Sequence, residues 1–113
     1  MPRAAILVLT QCPDRATAQL IARALVEARL AACVSIGTTV ESLYHWRGKI
    51  EMAQEVPVAI KTCADAYAAV EAAIRERHPY ELPEIIAVPL SHGLPSYLAW
   101  IDDETLPGAA RDA

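Results

Sequence analysis

The segment IEMAQEVPVAIK, residues 50–61, carries the clearest strand pattern in the sequence and decides the fold. Apolar side chains recur at every second position along most of it, and polar or small side chains lie between them. One face is formed by Ile50, Met52, Val56, Val58 and Ile60, and the other by Glu51, Ala53, Glu55 and Lys61. Because Pro57 has no amide hydrogen, we expect it at a bulge or on an unpaired side of the strand.

The preceding residues predict the partner of this strand. Cys33–Ile36 begins a strand, and its continuation to Trp46 places Tyr44 and Trp46 on one face. The turn residues Arg47-Gly48-Lys49 connect the two strands as a hairpin. Each strand runs for a dozen or more residues, roughly 40 Å, whereas a compact domain of this size has a radius of gyration of roughly 13 Å. We therefore expect the hairpin to overhang its own core and another subunit to cover its apolar side chains.

The remaining elements complete a β-α-β-β-α-β order followed by a short helix. Strands are predicted over Ala4–Thr10 and Ile85–Leu90, and helices from an Asp14 cap to about Leu30, from a Thr62 cap over Ala64–Arg77, and over Ser96–Asp102. This order is typical of a ferredoxin-like α+β sandwich with an extended hairpin between its second and third strands. Residues 1–113 form one domain, and residues 108–113 are expected to be a frayed tail.

Composition excludes several functional classes. The formal net charge is -4 and no Lys/Arg cluster occurs, so nucleic acid is not an expected partner. No apolar run approaches the roughly 20 residues of a membrane span. Three cysteines without paired spacing indicate reduced thiols in a cytoplasmic protein. Only four glycines are present and none forms a phosphate-binding loop, so no organic cofactor is predicted.

The predicted topology brings one thiol and one imidazole to the same edge of the sheet. Cys12 follows the first strand and His78 ends the second helix, whereas Cys33, Cys63 and His92 fall at the opposite edge. A thiolate and an imidazole suit copper or zinc, so Cys12 and His78 are the candidate metal ligands. The alternative is a buried thiol beside a helix-terminal histidine that bonds backbone carbonyls. Cys33 and Cys63 are predicted to pack in the core.

A second candidate site lies on and near the hairpin. We expect a pocket between subunits, with aromatic walls and a few convergent charges. Its predicted members are Tyr44, Trp46, Lys49, Glu55, Lys61, Tyr80 and Glu81. The alternative is an interface rim, where the aromatic residues anchor a neighbour and Lys61 pairs with a carboxylate. Glu81 and Glu84 are not accompanied by an oriented nucleophile or base, so structural roles are predicted for them.

Several motifs, in this order, resemble the CutA family of divalent-cation-tolerance proteins, and the resemblance runs from Ile6 to Trp100. They are Cys12-Pro13-Asp14, Leu30-Ala31-Ala32-Cys33-Val34, Tyr44-His45-Trp46-Arg47-Gly48-Lys49-Ile50, Glu55-Val56, Ile60-Lys61-Thr62, His78-Pro79-Tyr80-Glu81-Leu82-Pro83-Glu84-Ile85 and Tyr97-Leu98-Ala99-Trp100-Ile101. The resemblance implies a ferredoxin-like homotrimer, similar in architecture to the PII signalling proteins. It also implies a link to tolerance of copper and other divalent cations.

The residues matching the family's copper ligands differ in this chain. Some members are described as binding copper through a cysteine near the end of strand one and two histidines that end helix two. The matching positions here are Thr10 and Arg77-His78, so only His78 is kept, with Cys12 as a conjectured substitute. The leading hypothesis is a trimeric, non-enzymatic protein that binds copper or another divalent cation weakly. The alternatives are an enzyme or signalling protein with sites at inter-subunit clefts, and a scaffolding trimer without a ligand.

Overall fold

Five strands and three α-helices make up the part of the chain that the structure, a computed structural model, describes, residues 3–107. The strands are β1 Ala5–Cys12, β2 Cys33–Ile36, β3 Val40–Trp46, β4 Lys49–Cys63 and β5 Ile85–Pro89. The helices are α1 Arg15–Glu27, α2 Tyr67–Arg77 and α3 Pro95–Glu104, and a short 3-10 turn, Ala64–Ala66, precedes α2. The predicted tail at residues 108–113 lies outside the described residues.

The strands form one antiparallel sheet in the order β2-β4-β1-β5. β3 pairs with the outer part of β4, from Val40 opposite Glu55 to Trp46 opposite Lys49. β4 is the longest strand and is the common partner of β1, β2 and β3. The alternating pattern of residues 50–61 therefore predicts the strand with which three of the other four strands pair.

Alternate side chains of the central strands face two different layers. One face packs against α1 and α2, where Val8 and Ile60 are buried against Ile21, Leu25 and Ile74. The opposite face is covered by α3 at one end only. There Ile101 packs on Ala5 and Cys63. The rest of this second face carries partly exposed apolar residues, including Ile86 and Val88 of the edge strand β5.

The predicted second strand is interrupted, which corrects the expectation of one continuous strand from Cys33 to Trp46. β2 ends at Ile36 and β3 begins at Val40. Between them the Gly37 amide donates to the Pro57 carbonyl over 2.9 Å, and a Cβ on Gly37 would lie 2.9 Å from the Pro57 ring. Pro57 has no N–H to offer on this side, so the ladder breaks there. The missing N–H of Pro57 thus lies at a break in the ladder, which agrees with the expectation of a bulge or an unpaired side.

Other element boundaries also differ from the predictions. β1 continues past Thr10 to Cys12. α1 ends at Glu27 rather than Leu30, because Arg29 adopts a left-handed conformation with φ 58°. Thr62 does not cap α2, since its hydroxyl donates to the Leu30 carbonyl over 2.7 Å. Asp14 does cap α1 as predicted, and it accepts the Thr17 amide over 2.7 Å.

The β3–β4 hairpin extends beyond the core as expected from its length. The molecule measures 47 × 28 × 24 Å. Three apolar side chains share one face of the overhang and form what we call the hairpin stripe: Leu43, Ile50 and Met52, which are 67%, 70% and 64% exposed. Within residues 3–107, no helix is long and apolar enough to cross a membrane.

Candidate functional site

The end of β1 and the end of α2 meet at one edge of the sheet, as the predicted topology requires. The Nε2 atom of His78 lies 2.6 Å from the carbonyl oxygen of Gln11, the residue before Cys12. At the opposite edge, Cys33 pairs across from Lys61, and Cys63 pairs across from Ala5. The three cysteines are free thiols.

Both ring nitrogens of His78 are already engaged in hydrogen bonds. Nδ1 accepts the backbone N–H of Tyr80 over 3.2 Å. Nε2 must then carry the ring proton, and it donates to the Gln11 carbonyl. The residue is buried, so these bonds fix the ring and join the end of α2 to the end of β1. A metal ion could use this imidazole only after one of the two bonds is broken.

The Cys12 thiol is fully buried at the end of β1. Burial raises its pKa to about 11, and the charges of Asp14 and Glu55 act in the same direction. Metal ligation requires the thiolate, which such a site disfavours. Among residues 3–107, no group of three or more His, Cys, Asp or Glu side chains has the arrangement of a metal site. The Cys12–His78 metal site therefore stays a prediction, and its geometry is not preformed.

Thr10 and Arg77 stand at the two positions that differ from the family's copper ligands, and the structure shows the surroundings of each. Thr10 is buried, and its hydroxyl has no hydrogen-bond partner among the described residues. Arg77 turns back along α2, where its guanidinium donates to the Ala73 carbonyl over 2.9 Å and pairs with Glu76 at 3.1 Å. The Arg77 charge is thus directed away from His78.

An open groove of about 480 Å³ lies between the hairpin and the loop after α2. Five of the predicted pocket residues line it, namely Tyr44, Trp46, Glu55, Tyr80 and Glu81. The remaining lining residues are Ser42, Leu43, His45, Leu82 and Glu84. Sequence reasoning missed most of these, although the loop His78–Ile85 had been singled out, and it gave Glu84 only a structural role.

Two carboxylates and a phenol line the groove together, with Glu55 buried and Glu84 exposed. Glu55 is only 8% exposed. Burial raises the pKa of Tyr80 to about 12, together with the charge of Glu55 and a hydrogen bond to it. The pKa of Glu84 is also raised, first by burial and then by the charge of Glu55. The inner groove is therefore a negatively charged, partly dehydrated site.

The rim of the groove already holds one cation. The Arg47 guanidinium pairs with Glu81 at 3.0 Å and lies 5.3 Å from the centre of the Trp46 ring. Arg47 itself adopts a left-handed conformation, φ 51°, in the hairpin turn. Both members of the ion pair are exposed, so the pair contributes little to stability.

Two predicted pocket residues do not line the groove. Lys61 lies at the other end of β4, where its ammonium is 3.2 Å from the Tyr97 hydroxyl, and that hydrogen bond raises the pKa of Lys61. Lys49 lies at the hairpin tip, opposite Trp46. Both share the strand face of Glu55, but a six-residue separation along a strand is roughly 20 Å. The sequence pattern therefore identified the strand face on which these lysines lie, but not their distance from the groove.

The cysteine and histidine predictions away from the groove have mixed outcomes. Cys63 is buried, as predicted, whereas Cys33 is only half-buried on the sheet face that α3 leaves open. His45 and His92 are both exposed.

Fold and site together define a mixed α+β protein with a single antiparallel sheet and an acidic, aromatic groove at one edge. Comparison with known proteins agrees with this class. The family model described as CutA1 divalent ion tolerance protein matches residues 6–104. The chain belongs to this family.

Curated relatives and solved structures extend the likeness over most of the chain. The chain is 42% identical to "Protein CutA" of Mus musculus over 93% of its length, but it spans only 59% of that relative. It is 40% identical to the divalent-cation tolerance protein CutA of Pectobacterium atrosepticum, covering 87% of this chain and 89% of the relative. The crystal structure of CutA1 from Oryza sativa superposes with a TM-score of 0.90 at 31% identity, covering 94% of this chain and 97% of that one.

Proposed function

We propose that this protein is a homotrimer that contributes to tolerance of divalent metal ions, copper in particular, by binding rather than by catalysis. The observation that carries the proposal is the match to the CutA1 divalent ion tolerance family over residues 6–104. The mouse and Xenopus laevis relatives are longer than the aligned part, which spans 59% and 61% of them. The proposal therefore concerns the domain that this chain forms.

The fold supports the trimeric part of the proposal. The β2-β4-β1-β5 order, with two helices on one face, agrees with a ferredoxin-like sandwich. The hairpin stripe and the sheet face around Ile86 and Val88 are exposed apolar surfaces at two different places on the chain. Exposed apolar patches of this kind mark interaction surfaces. A PII-like trimer would bury both surfaces against neighbouring copies.

Weak metal binding is the mode of action supported at the edge of the sheet where β1 and α2 end. Cys12 and His78 are the candidate ligands, and each is held in a form that a metal must first alter. His78 must release the Gln11 carbonyl or the Tyr80 amide, and Cys12 must lose a proton whose pKa is about 11. These requirements lower the affinity, because ligand deprotonation is part of metal binding. We therefore expect exchangeable copper binding on a roughly micromolar or weaker scale.

Calorimetric titration tests this proposal. Purified, reduced protein is titrated with copper and with zinc, alongside Cys12→Ser and His78→Ala variants. Both variants should bind copper more weakly than the unaltered protein. Cys33→Ser is the matched control, because Cys33 lies at the opposite edge of the sheet. Copper binding that disappears in Cys33→Ser and persists in the other two would refute the assignment.

The cytoplasm is the proposed location, because three free thiols fit a reducing compartment. A related structure from Archaeoglobus fulgidus is described as a periplasmic divalent cation tolerance protein, at 35% identity. Fractionation of cells that produce the full chain would separate the two locations, with recovery in the periplasm contradicting the proposal.

A further inference from the structure

Glu55 is a buried carboxylate that has no ion-pair partner among the described residues 3–107. Its exposed fraction is 8%. The ion pairs formed within residues 3–107 involve other carboxylates, and none includes Glu55. Its neighbour in the groove is the neutral Tyr80 hydroxyl. A buried charge without a counter-charge is costly, so such groups in proteins are usually paired.

A second carboxylate adds to this excess of negative charge. Glu84 also lines the groove, and the charge of Glu55 contributes to raising its pKa. Lys49 and Lys61, which share the strand face of Glu55, lie toward opposite ends of β4 and do not line the groove. A cation between Glu55 and Glu84 would relieve their mutual repulsion.

The groove walls suit an organic cation better than a bare metal ion. Tyr44, Trp46 and Tyr80 supply aromatic surface, which attracts ammonium and guanidinium groups. The rim already holds a guanidinium in this way, since Arg47 lies against both Trp46 and Glu81. A metal ion would meet the carboxylates of Glu55, Glu81 and Glu84 along the groove, but no set of three ligands among the described residues is arranged for it.

We infer that the groove binds a small organic cation that carries a protonated amine or a guanidinium group. Glu55 and Glu84 accept its N–H bonds, and Tyr44, Trp46 and Tyr80 contact its alkyl or planar part. The volume of about 480 Å³ suits a molecule of this size. The inference rests on the proposed function only in treating the protein as a binding protein. Its ligand-contacting side chains differ from Cys12 and His78, although the groove adjoins them, since the Tyr80 backbone N–H donates to His78 and the charge of Glu55 contributes to raising the pKa of Cys12.

Calorimetric titration with agmatine and with spermidine tests the inference on the full chain. We expect saturable binding that weakens at least tenfold in Glu55→Gln, which removes the charge and keeps the shape. Glu84 is exposed, so Glu84→Gln is not expected to disturb folding. This variant should also bind the cation more weakly. Glu41→Gln is the matched control, because Glu41 lies on the opposite hairpin face. Its affinity for agmatine should stay within about twofold of that of the unaltered protein.

Further probes separate the possible ligands. Tetramethylammonium cannot donate N–H bonds and should bind at least tenfold more weakly than agmatine. A capped Arg-containing peptide that binds as well as agmatine would support the same chemistry and assign it to a protein side chain. The inference would be overturned if neither agmatine nor spermidine binds saturably. It would also be overturned if Glu55→Gln and Glu84→Gln bind these cations as tightly as the unaltered protein does. Calcium or magnesium binding that depends on Glu55, with neither organic probe bound, would overturn it in favour of an inorganic cation. The copper titration of Cys12→Ser and His78→Ala changes other side chains and uses another ligand, so failure of the metal proposal and failure of this inference give different results.

Discussion

The hairpin stripe allows the trimer proposal to be tested quantitatively. Fully burying a Leu, Ile or Met side chain stabilises by about 1.5–3 kcal/mol relative to leaving it exposed. The three stripe residues are 64% to 70% exposed, so about 1–2 kcal/mol of that gain is still available at each. Covering all three would contribute roughly 3–6 kcal/mol per subunit, or about two to four orders of magnitude in an association constant.

Replacing all three residues with serine should therefore shift assembly strongly toward monomers. Sedimentation equilibrium over a range of concentrations measures the change in association constant. Leu20→Ser is the matched control, because Leu20 is a 57% exposed leucine on α1, away from the hairpin. A folded monomer at micromolar concentration in the unaltered protein would refute the trimer. A triple variant that assembles as the unaltered protein does would refute the role of the stripe.

Three further predictions concern the edges of the sheet. Arg3 hydrogen-bonds Asp102 at 2.5 Å, and this bond lowers the pKa of Asp102. Its stabilisation is present above the unfolded value of about 3.9 and is lost as pH falls through the lowered one, so the melting-temperature deficit of Arg3→Gln should shrink in acid. His78→Ala should cost roughly 2–4 kcal/mol in urea unfolding, because the buried ring is removed and two partly buried backbone groups lose their hydrogen bonds. A loss below about 0.5 kcal/mol would contradict this structural role. With a thiol reagent at pH 8, Cys33 should react about two orders of magnitude faster than Cys12, whose pKa is about 11; unchanged fast labelling in Cys33→Ser would contradict this.

Local patterns in the sequence predict much of the fold. The alternation over residues 50–61 identifies the central strand, and Asp14 caps α1 as its chemistry predicts. The break between β2 and β3 could not be placed in advance, because it depends on the approach of Gly37 to Pro57 from a separate segment. The role of Thr62 was missed for the same reason, since its partner is the Leu30 carbonyl. Tertiary contacts determine the structure at these positions, and the periodicity of the sequence carries no information about such contacts.

The candidate site was predictable in composition but not in extent. The residues of the His78–Ile85 loop and the hairpin were identified together, and five of the seven predicted pocket residues line the groove. Lys49 and Lys61 were included because they share a strand face with Glu55, although their positions along β4 exclude them. Their absence changes the chemistry, since a pocket predicted to have mixed charge is acidic along its inner wall.

The length of β4 is the common origin of both proposed surfaces. Its outer part, paired with β3, places Ile50 and Met52 on one face and Glu55 on the other. Because side chains alternate between the faces of a strand, a substitution on one face leaves the other in register. Replacing Ile50 and Met52, which do not line the groove, should therefore change assembly while the Glu55 carboxylate keeps its position. Conversely, Glu55→Gln should change cation binding while the stripe is intact. If Glu55→Gln dissociates the assembly as strongly as the stripe variant does, a neighbouring subunit contacts Glu55, and the groove is then an interface rather than a ligand site.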